Sequence, residues 1–349
     1  MKNWKAWGKT TPEGIVIPAL LQKPLAGRAV QCRLCAHYCR IENGETGICR
    51  VRLNRDGILY SLNYDRVIAV HSDPIEKKPL YHFLPGSSAF SLAAMGCNFQ
   101  CRFCQNYSIS QVDPRRGPQG EPIPPRELVQ SALDAGCRSL AYTYTEPTVF
   151  FELMLETAKL ARARGLKNIM ITNGFISAEG LDMLAPWIDA ANVDLKAGSD
   201  AFYREQCGGR LQPVLKTITA MHQAGIWLEV TTLLIPGLNT DDAQLSRVVT
   251  FLHDLNPHIP WHVSRYYPQY QMDRPSTEAG VIEAALAKAR DAGLVYLYAG
   301  NLPLEEWSDT RCPQCNALLI RRSGYAVTIH GLDKGKCRNC GCDIAGVYE

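Results

Sequence analysis

From about residue 88 to residue 301, short β-branched or apolar runs alternate with stretches whose apolar residues recur at helical spacing. Ser88–Gly96, Ser139–Thr145, Lys167–Thr172, Ala191–Leu195, Trp227–Ile235, Trp261–Tyr267 and Val295–Tyr298 read as strands. Between them Arg126–Ala135, Thr148–Arg164, Ala178–Ile188, Pro213–Ala224, Asp241–Leu255 and Thr277–Ala292 read as helices. The second helix shows the pattern well, with apolar residues at Phe151, Leu155, Ala158 and Ala161. Such alternation demands a parallel sheet joined by right-handed crossovers. Six or seven units fall short of a closed eightfold barrel. The predicted fold is therefore α/β, an open partial TIM-type (β/α)6 barrel, with small cysteine-rich metal-binding elements at both ends. Three regions follow: an N-terminal cysteine-box region over 1–84, the barrel over 85–302, and a C-terminal zinc ribbon over 303–349. In barrels of this kind the site gathers at the carboxyl ends of the strands, so residues just after each strand come first as candidates.

Composition changes this picture little, apart from cysteine. The chain has 349 residues and a net charge of +3, too small to argue for nucleic acid or a membrane surface. No stretch approaches a transmembrane span, and the polar start Met-Lys-Asn-Trp-Lys does not resemble a signal peptide, so a cytoplasmic location is expected. Fourteen cysteines in a large chain without an export signal point to metal or redox use rather than to disulfides.

Directly after the first barrel strand, Cys97, Cys101 and Cys104 form C-x3-C-x2-C. Three thiolates hold three irons of a cubane [4Fe–4S] cluster and leave the fourth iron for a non-protein ligand. The competing reading is structural cysteines or a zinc site completed elsewhere, but no second pair lies nearby in register. Phe103 precedes the third cysteine. Here the chain resembles the radical S-adenosylmethionine (SAM) superfamily, whose signature is C-x3-C-x-aromatic-C. The resemblance implies that the open iron chelates SAM and that one electron cleaves it to methionine and a 5′-deoxyadenosyl radical.

The same resemblance assigns strand-end residues to SAM. Glu146, in Tyr-Thr-Glu-Pro, stands where superfamily members carry Gly-Gly-Glu, although Tyr144 and Thr145 replace the glycines. A helix-start glutamate is the plain alternative. Thr172-Asn-Gly and Asp194-Leu-Lys196 resemble motifs of glycyl-radical-enzyme activating enzymes in which Thr172, Asp194 and Lys196 would reach SAM, and Asn106 occupies a SAM-contacting position there. Gln105 departs from that pattern, standing where many activases have histidine. His262 is a candidate for facing the adenine or the substrate, against the alternative of a satisfied structural histidine. Cys137 and Cys207 read as inert small hydrophobes.

Two further cysteine sets flank the barrel. Cys312, Cys315, Cys337 and Cys340 have zinc-ribbon spacing, with Cys342 as a spare and a rubredoxin-like iron as the alternative. Cys32, Cys35, Cys39 and Cys49 have unequal gaps that suit zinc or a second iron–sulfur cluster, with His37 as an additional candidate ligand; a structural metal is the expectation there. Across its length the chain resembles the radical SAM enzymes of the AmmeMemoRadiSam system, relatives of pyruvate formate-lyase activating enzyme. The match covers the N-terminal box, Asp73-Pro-Ile-Glu-Lys-Lys-Pro-Leu-Tyr-His-Phe-Leu-Pro-Gly-Ser, the Cys97 triplet, Trp261-His-Val-Ser-Arg, Ala299-Gly-Asn and the ribbon. That family implies Memo-like and AMMECR-type partners and a low-potential electron donor, flavodoxin or ferredoxin, without supplying a substrate. A glycyl-radical activase and a non-catalytic zinc-ribbon binding module are the competing functions.

Overall fold

The computed structural model describes residues 9–11, 14–113, 117, 119–302 and 304–349. Its central sheet contains strands β1 (Arg66–Pro74), β2 (Ser88–Ala94), β3 (Ser139–Tyr142), β4 (Lys167–Thr172), β5 (Ala190–Asp194), β6 (Trp227–Leu234), β7 (Trp261–Arg265) and β8 (Leu297–Gly300). β2 to β8 pair in sequence order and in parallel. Helices α1 (Pro125–Asp134), α2 (Phe151–Ala163), α3 (Ala178–Leu184), α4 (Leu211–Gln223), α5 (Asp242–Leu255) and α6 (Ala279–Asp291) make the crossovers. The predicted partial barrel is therefore what forms, and its element bounds agree within about a turn.

Two departures have local causes. β1 adds an antiparallel strand to the edge of β2, and the pair Glu121–Pro122 extends that edge further. Half-exposed residues break the alternation along β1, so its sequence carries no clean two-residue period. β3 stops at Tyr142 instead of running to Thr145, because Tyr144 adopts a left-handed conformation (φ 62°). Thr145 then donates its hydroxyl to the Ala94 carbonyl at 2.6 Å, tying two strand ends together.

Strands of the parallel sheet are covered on one face by helices and on the other by barrel contents, which is why β3 is buried along its whole length. α2 buries Phe151, Leu153, Met154, Leu155, Ala158 and Ala161. Each large side chain of that set contributes about 1.5–3 kcal/mol by leaving water, and Leu153→Ala would cost about 2–5 kcal/mol. Helix starts are fixed by side-chain caps: Ser177 accepts from the Gly180 amide at 3.0 Å, and Asp241 from the Gln244 amide at 3.0 Å.

The end of the barrel away from the strand carboxyl termini is closed by residues 75–84. Ile75, Leu80, Phe83 and Leu84 pack against Ala89, Ala141, Ile169 and Ala190, early residues of four adjacent strands, and three alanines there leave room for the larger side chains. Asn192 donates to the Pro79 carbonyl at 2.7 Å, and Glu229 accepts from the Tyr81 and His82 amides at 2.9 and 2.7 Å. This segment is both floor and plug.

The N-terminal part is built of short antiparallel strands. It is anchored by Arg52, which donates two bonds to Glu152 of α2 at 2.8 and 2.7 Å, with the two side chains only 1% and 2% exposed. Removing one partner of such a pair costs about 3–5 kcal/mol, because the other charge stays buried. At the other terminus the hairpin Leu318–Ser323 and Ala326–Ile329 forms as expected. Arg322 stacks 4.2 Å over the Tyr81 ring, and the Val347 amide donates to the His82 carbonyl at 2.7 Å, so this part docks on the plug. Among the described residues no helix is long and apolar enough to cross a membrane.

Candidate active site and cysteine centres

The chain turns out of β2 at Gly96 (φ 100°), where a Cβ would stand 2.8 Å from the Val51 side chain and 3.0 Å from the Cys49 carbonyl. Only glycine fits a turn that is both left-handed and that close to its neighbour. The loop that follows carries Cys97, Cys101 and Cys104. Its shape is set from outside: the Gln100 and Arg102 amides donate to the carbonyls of Cys207 and Gln206 at 2.8 and 2.9 Å. Gly209 lies so near that a Cβ there would meet the Phe99 ring at 2.3 Å.

All three thiols line one cavity of about 540 Å³ at the carboxyl ends of the strands, within the range of small-molecule sites. Cys97 Sγ accepts from the Phe99 amide at 3.3 Å and from Asn173 Nδ2 at 3.8 Å, and Cys104 Sγ lies 3.2 Å from the Ser110 hydroxyl. Burial pushes the Cys97 thiol pKa up strongly, and the Glu146 charge adds to it. The three sulfurs do not converge on a single point as the ribbon cysteines do. A wide set of thiols with donors aimed at the sulfurs suits a multi-iron cluster, and these residues therefore fit a [4Fe–4S] group.

Glu146 is buried and caps the short helix Pro147–Phe150. Its Oε1 accepts from the Thr148 amide (3.0 Å), the Thr148 hydroxyl (2.6 Å) and the Thr172 hydroxyl (2.8 Å), while Oε2 accepts from the Asn173 amide (2.8 Å). Burial raises its pKa, and the donors from Asn173, Thr148 and Thr172 oppose that rise. A carboxylate offers about four acceptor sites, two on each oxygen, so Oε2 keeps one for a ligand's cationic group. Glu146 is thus a helix cap that also lines the cavity.

Asp194 and Lys196 end β5 as an ion pair of 3.0 Å at the cavity wall. Burial works against the Lys196 charge, but Asp194 and the thiols of Cys101 and Cys207 hold its pKa well above the usual lysine value. Asn239 donates to the Lys196 carbonyl and the Lys196 amide donates to the Tyr203 hydroxyl, which fixes the backbone there. Asn106 also lines the cavity and donates to the Tyr144 carbonyl at 2.7 Å. Thr172 lines it too, though its hydroxyl is committed to Glu146.

His262 is not brought into this cavity. It pairs with Thr231 in the ladder, but its Nε2 lies 2.7 Å from Glu229 Oε2 and its ring stacks on Tyr298 with centroids 5.2 Å apart. It is a satisfied histidine of the barrel floor, and its expected contact with adenine or substrate is corrected on that ground.

Residues that pattern reasoning passed over also meet here. Cys207, expected to be inert, neighbours Cys101, and its thiol is the main cause lowering the Cys101 pKa. Asn173 joins Cys97 to Asn98, donating to Asn98 Oδ1 at 2.8 Å. On the floor, Asp73 accepts from Lys77 (2.8 Å), Lys78 (2.6 Å) and the Tyr144 hydroxyl, with Lys78 under the cavity and 4.5 Å from the Tyr144 ring centroid. Tyr325, at the hairpin tip of the C-terminal part, reaches the cavity mouth.

The C-terminal four cysteines form a tight set whose sulfurs all lie within 4.8 Å of one another. Cys312 and Cys340 are 3.6 Å apart, and Cys315 and Cys337 are 3.7 Å apart. A tetrahedral ion about 2.3 Å from each sulfur requires sulfurs about 3.8 Å apart, so the set fits one metal ion. Cys342 lies outside it, turned towards the Asp343 carbonyl. Cys32, Cys35, Cys39 and Cys49 also come together, around a separate small cavity.

The residues of this cavity fall largely within a known family's model. Residues 93–248 match the family model described as the radical SAM superfamily. The chain is 42% identical to Uncharacterized protein MJ0808 of Methanocaldococcus jannaschii, over 93% of this chain and 97% of that protein. It is 28% identical to Uncharacterized protein MJ0674 of the same organism, over 69% of this chain and 67% of that one. Among solved structures, a domain of pyruvate-formate lyase-activating enzyme from Bacteroides vulgatus aligns with 21% identity and a TM-score of 0.41, covering 47% of this chain and 99% of that one.

Proposed function

This chain belongs to the radical SAM superfamily and is an enzyme of that superfamily; from that premise we propose that it acts on a substrate held in the 540 Å³ cavity, within an AmmeMemoRadiSam-type system. The [4Fe–4S] group and SAM, when bound, supply the chemistry: one electron divides SAM into methionine and a 5′-deoxyadenosyl radical that takes a hydrogen atom from the substrate. Cys97, Cys101 and Cys104 hold the irons. Glu146 would take the amino group of SAM, and Thr172, Thr148 and Asn173 hold that carboxylate in place. Asp194 and Lys196 orient the nucleoside part from the β5 end, and Asn106 braces the loop through Tyr144. Phe99 and Phe103, both buried, line the cluster side of the cavity and make it apolar.

The observation that carries this reading is that three thiols from one loop and the polar ends of three strands line a single cavity. Memo-like and AMMECR-type proteins are the proposed partners, and flavodoxin or ferredoxin the proposed one-electron donor. Zinc is the proposed ion of the ribbon, in keeping with its all-thiolate set. Anaerobic protein supplied with dithionite and SAM should release methionine and 5′-deoxyadenosine. With the two partner proteins present, deuterium from a labelled substrate pool should appear in the 5′-deoxyadenosine. Failure to cleave SAM at all would reject the reading. Label arriving from a backbone glycine of a large partner enzyme would make the protein a glycyl-radical activase instead.

A further inference from the structure

We propose that the amino-terminal box, Cys32, Cys35, Cys39 and Cys49, is a second iron–sulfur centre and not a zinc site. The two four-cysteine sets of this protein differ in a way that metal size explains. In the ribbon the sulfurs stand 3.6–3.7 Å apart in pairs and leave no room between them. A zinc ion about 2.3 Å from every sulfur fills that space completely. In the amino-terminal box the four cysteines line a separate small cavity. Among the described residues the ribbon alone has three or more metal-ligating atoms within 4.8 Å of one another, so the sulfurs of the box are spread more widely.

The spread is built in. The Cys32 amide donates to the Cys39 carbonyl at 2.9 Å, and Cys35 is bridged to Ile176, with the Ala36 amide donating to the Phe175 carbonyl at 3.1 Å. Cys49 is held by the turn packed against Gly96.

Two donors sharpen the assignment. Arg52 Nε and Asn98 Nδ2 are buried without a hydrogen-bond partner, and both residues line this cavity. An unpartnered buried donor costs about 1–3 kcal/mol. Thiolates on any metal accept N–H bonds, and a cluster adds inorganic sulfides that accept further ones. His37 is not a further ligand through Nε2, which lies 2.8 Å from the Asn98 carbonyl oxygen. Because Asn98 follows Cys97 directly, the wall of this site is made in part by the loop of the first one.

The test is a full-length Cys97→Ala, Cys101→Ala, Cys104→Ala variant, reconstituted anaerobically with ferrous iron and sulfide. It removes the SAM-binding cluster, so its outcome does not depend on the activity proposed above. About four irons and four sulfides per chain are expected, with the broad charge-transfer absorption of a cluster, against about eight in the unaltered protein. As a second measurement, Cys39→Ser in the otherwise unaltered chain, at the least buried of the three upstream cysteines, should lower iron from about eight towards four while ribbon zinc is kept. Two zinc ions per chain and no iron in the triple variant would overturn the proposal, as would an unaltered protein that never exceeds about four irons.

Discussion

Thr172 donates its hydroxyl to Glu146 at 2.8 Å, so the end of β4 holds the carboxylate that follows β3. A hydrogen bond to a charged group is worth about 1.5–3 kcal/mol. Thr172→Val should therefore weaken SAM binding by about tenfold, and Glu146→Gln by at least as much, with the visible cluster spectrum unchanged in both. Equilibrium binding of SAM to the anaerobic protein checks this. Unaltered affinity in both variants would remove Glu146 from the pocket's working parts.

Cys207 and Cys101 make a separable pair. Cys101→Ala should lose the cluster and all SAM cleavage, since no other thiol of the loop reaches that iron. Cys207→Ala should keep the cluster and shift its midpoint potential, because a polar group beside a ligand sulfur tunes an iron–sulfur centre. Iron analysis and a redox titration followed by electron paramagnetic resonance distinguish the two; loss of iron in Cys207→Ala would make it a ligand.

The ribbon predicts one tightly held zinc that survives aerobic purification. Stripping it with a chelator, or the double change Cys312→Ala, Cys337→Ala, should lower the melting temperature of the whole chain, since metal binding energy is folding energy in such sites. Metal analysis with calorimetry reads both effects, and an unchanged melting curve would mean that the ribbon folds without its ion.

His82 predicts a pH effect away from any metal. It is buried, with Nδ1 2.7 Å from the Ala345 carbonyl and Nε2 2.5 Å from the Tyr298 hydroxyl, a pattern that suits the neutral ring donating through Nδ1 and accepting at Nε2. Burial pushes its pKa down to about 4. The unfolded chain takes up a proton near pH 6.5 and the folded chain does not, so stability present above about 6.5 is lost as pH falls towards 4, by at most about 3 kcal/mol. His82→Gln should flatten that part of the stability curve. Urea titrations between pH 7 and 5 compare the two, and equal slopes would show that His82 titrates normally.

The barrel was legible because helices and strands of a parallel sheet have different periods, and the cysteine triplet because its spacing is rare. Glu146, Asp194 and Lys196 were found by their place after strands. The rest required contacts between distant segments. β1 has no clean period because it is a half-exposed edge, and Cys207 carries no local mark apart from the two glycines after it. His262 misled for a related reason: its place on a barrel strand suggested the site, while Glu229, thirty-three residues earlier, takes its imidazole to the floor. Lys78 belongs to the cavity only because the plug folds back under it.

That plug couples the cavity to the C-terminal part. Lys78 and Pro79 face the cavity, whereas His82, Phe83 and Leu84 bond the C-terminal tail around Val347. Seven residues of continuous backbone, Lys78 to Leu84, thus serve two modules. Exchanging the ribbon for another appendage would therefore require rebuilding the floor of the cavity as well.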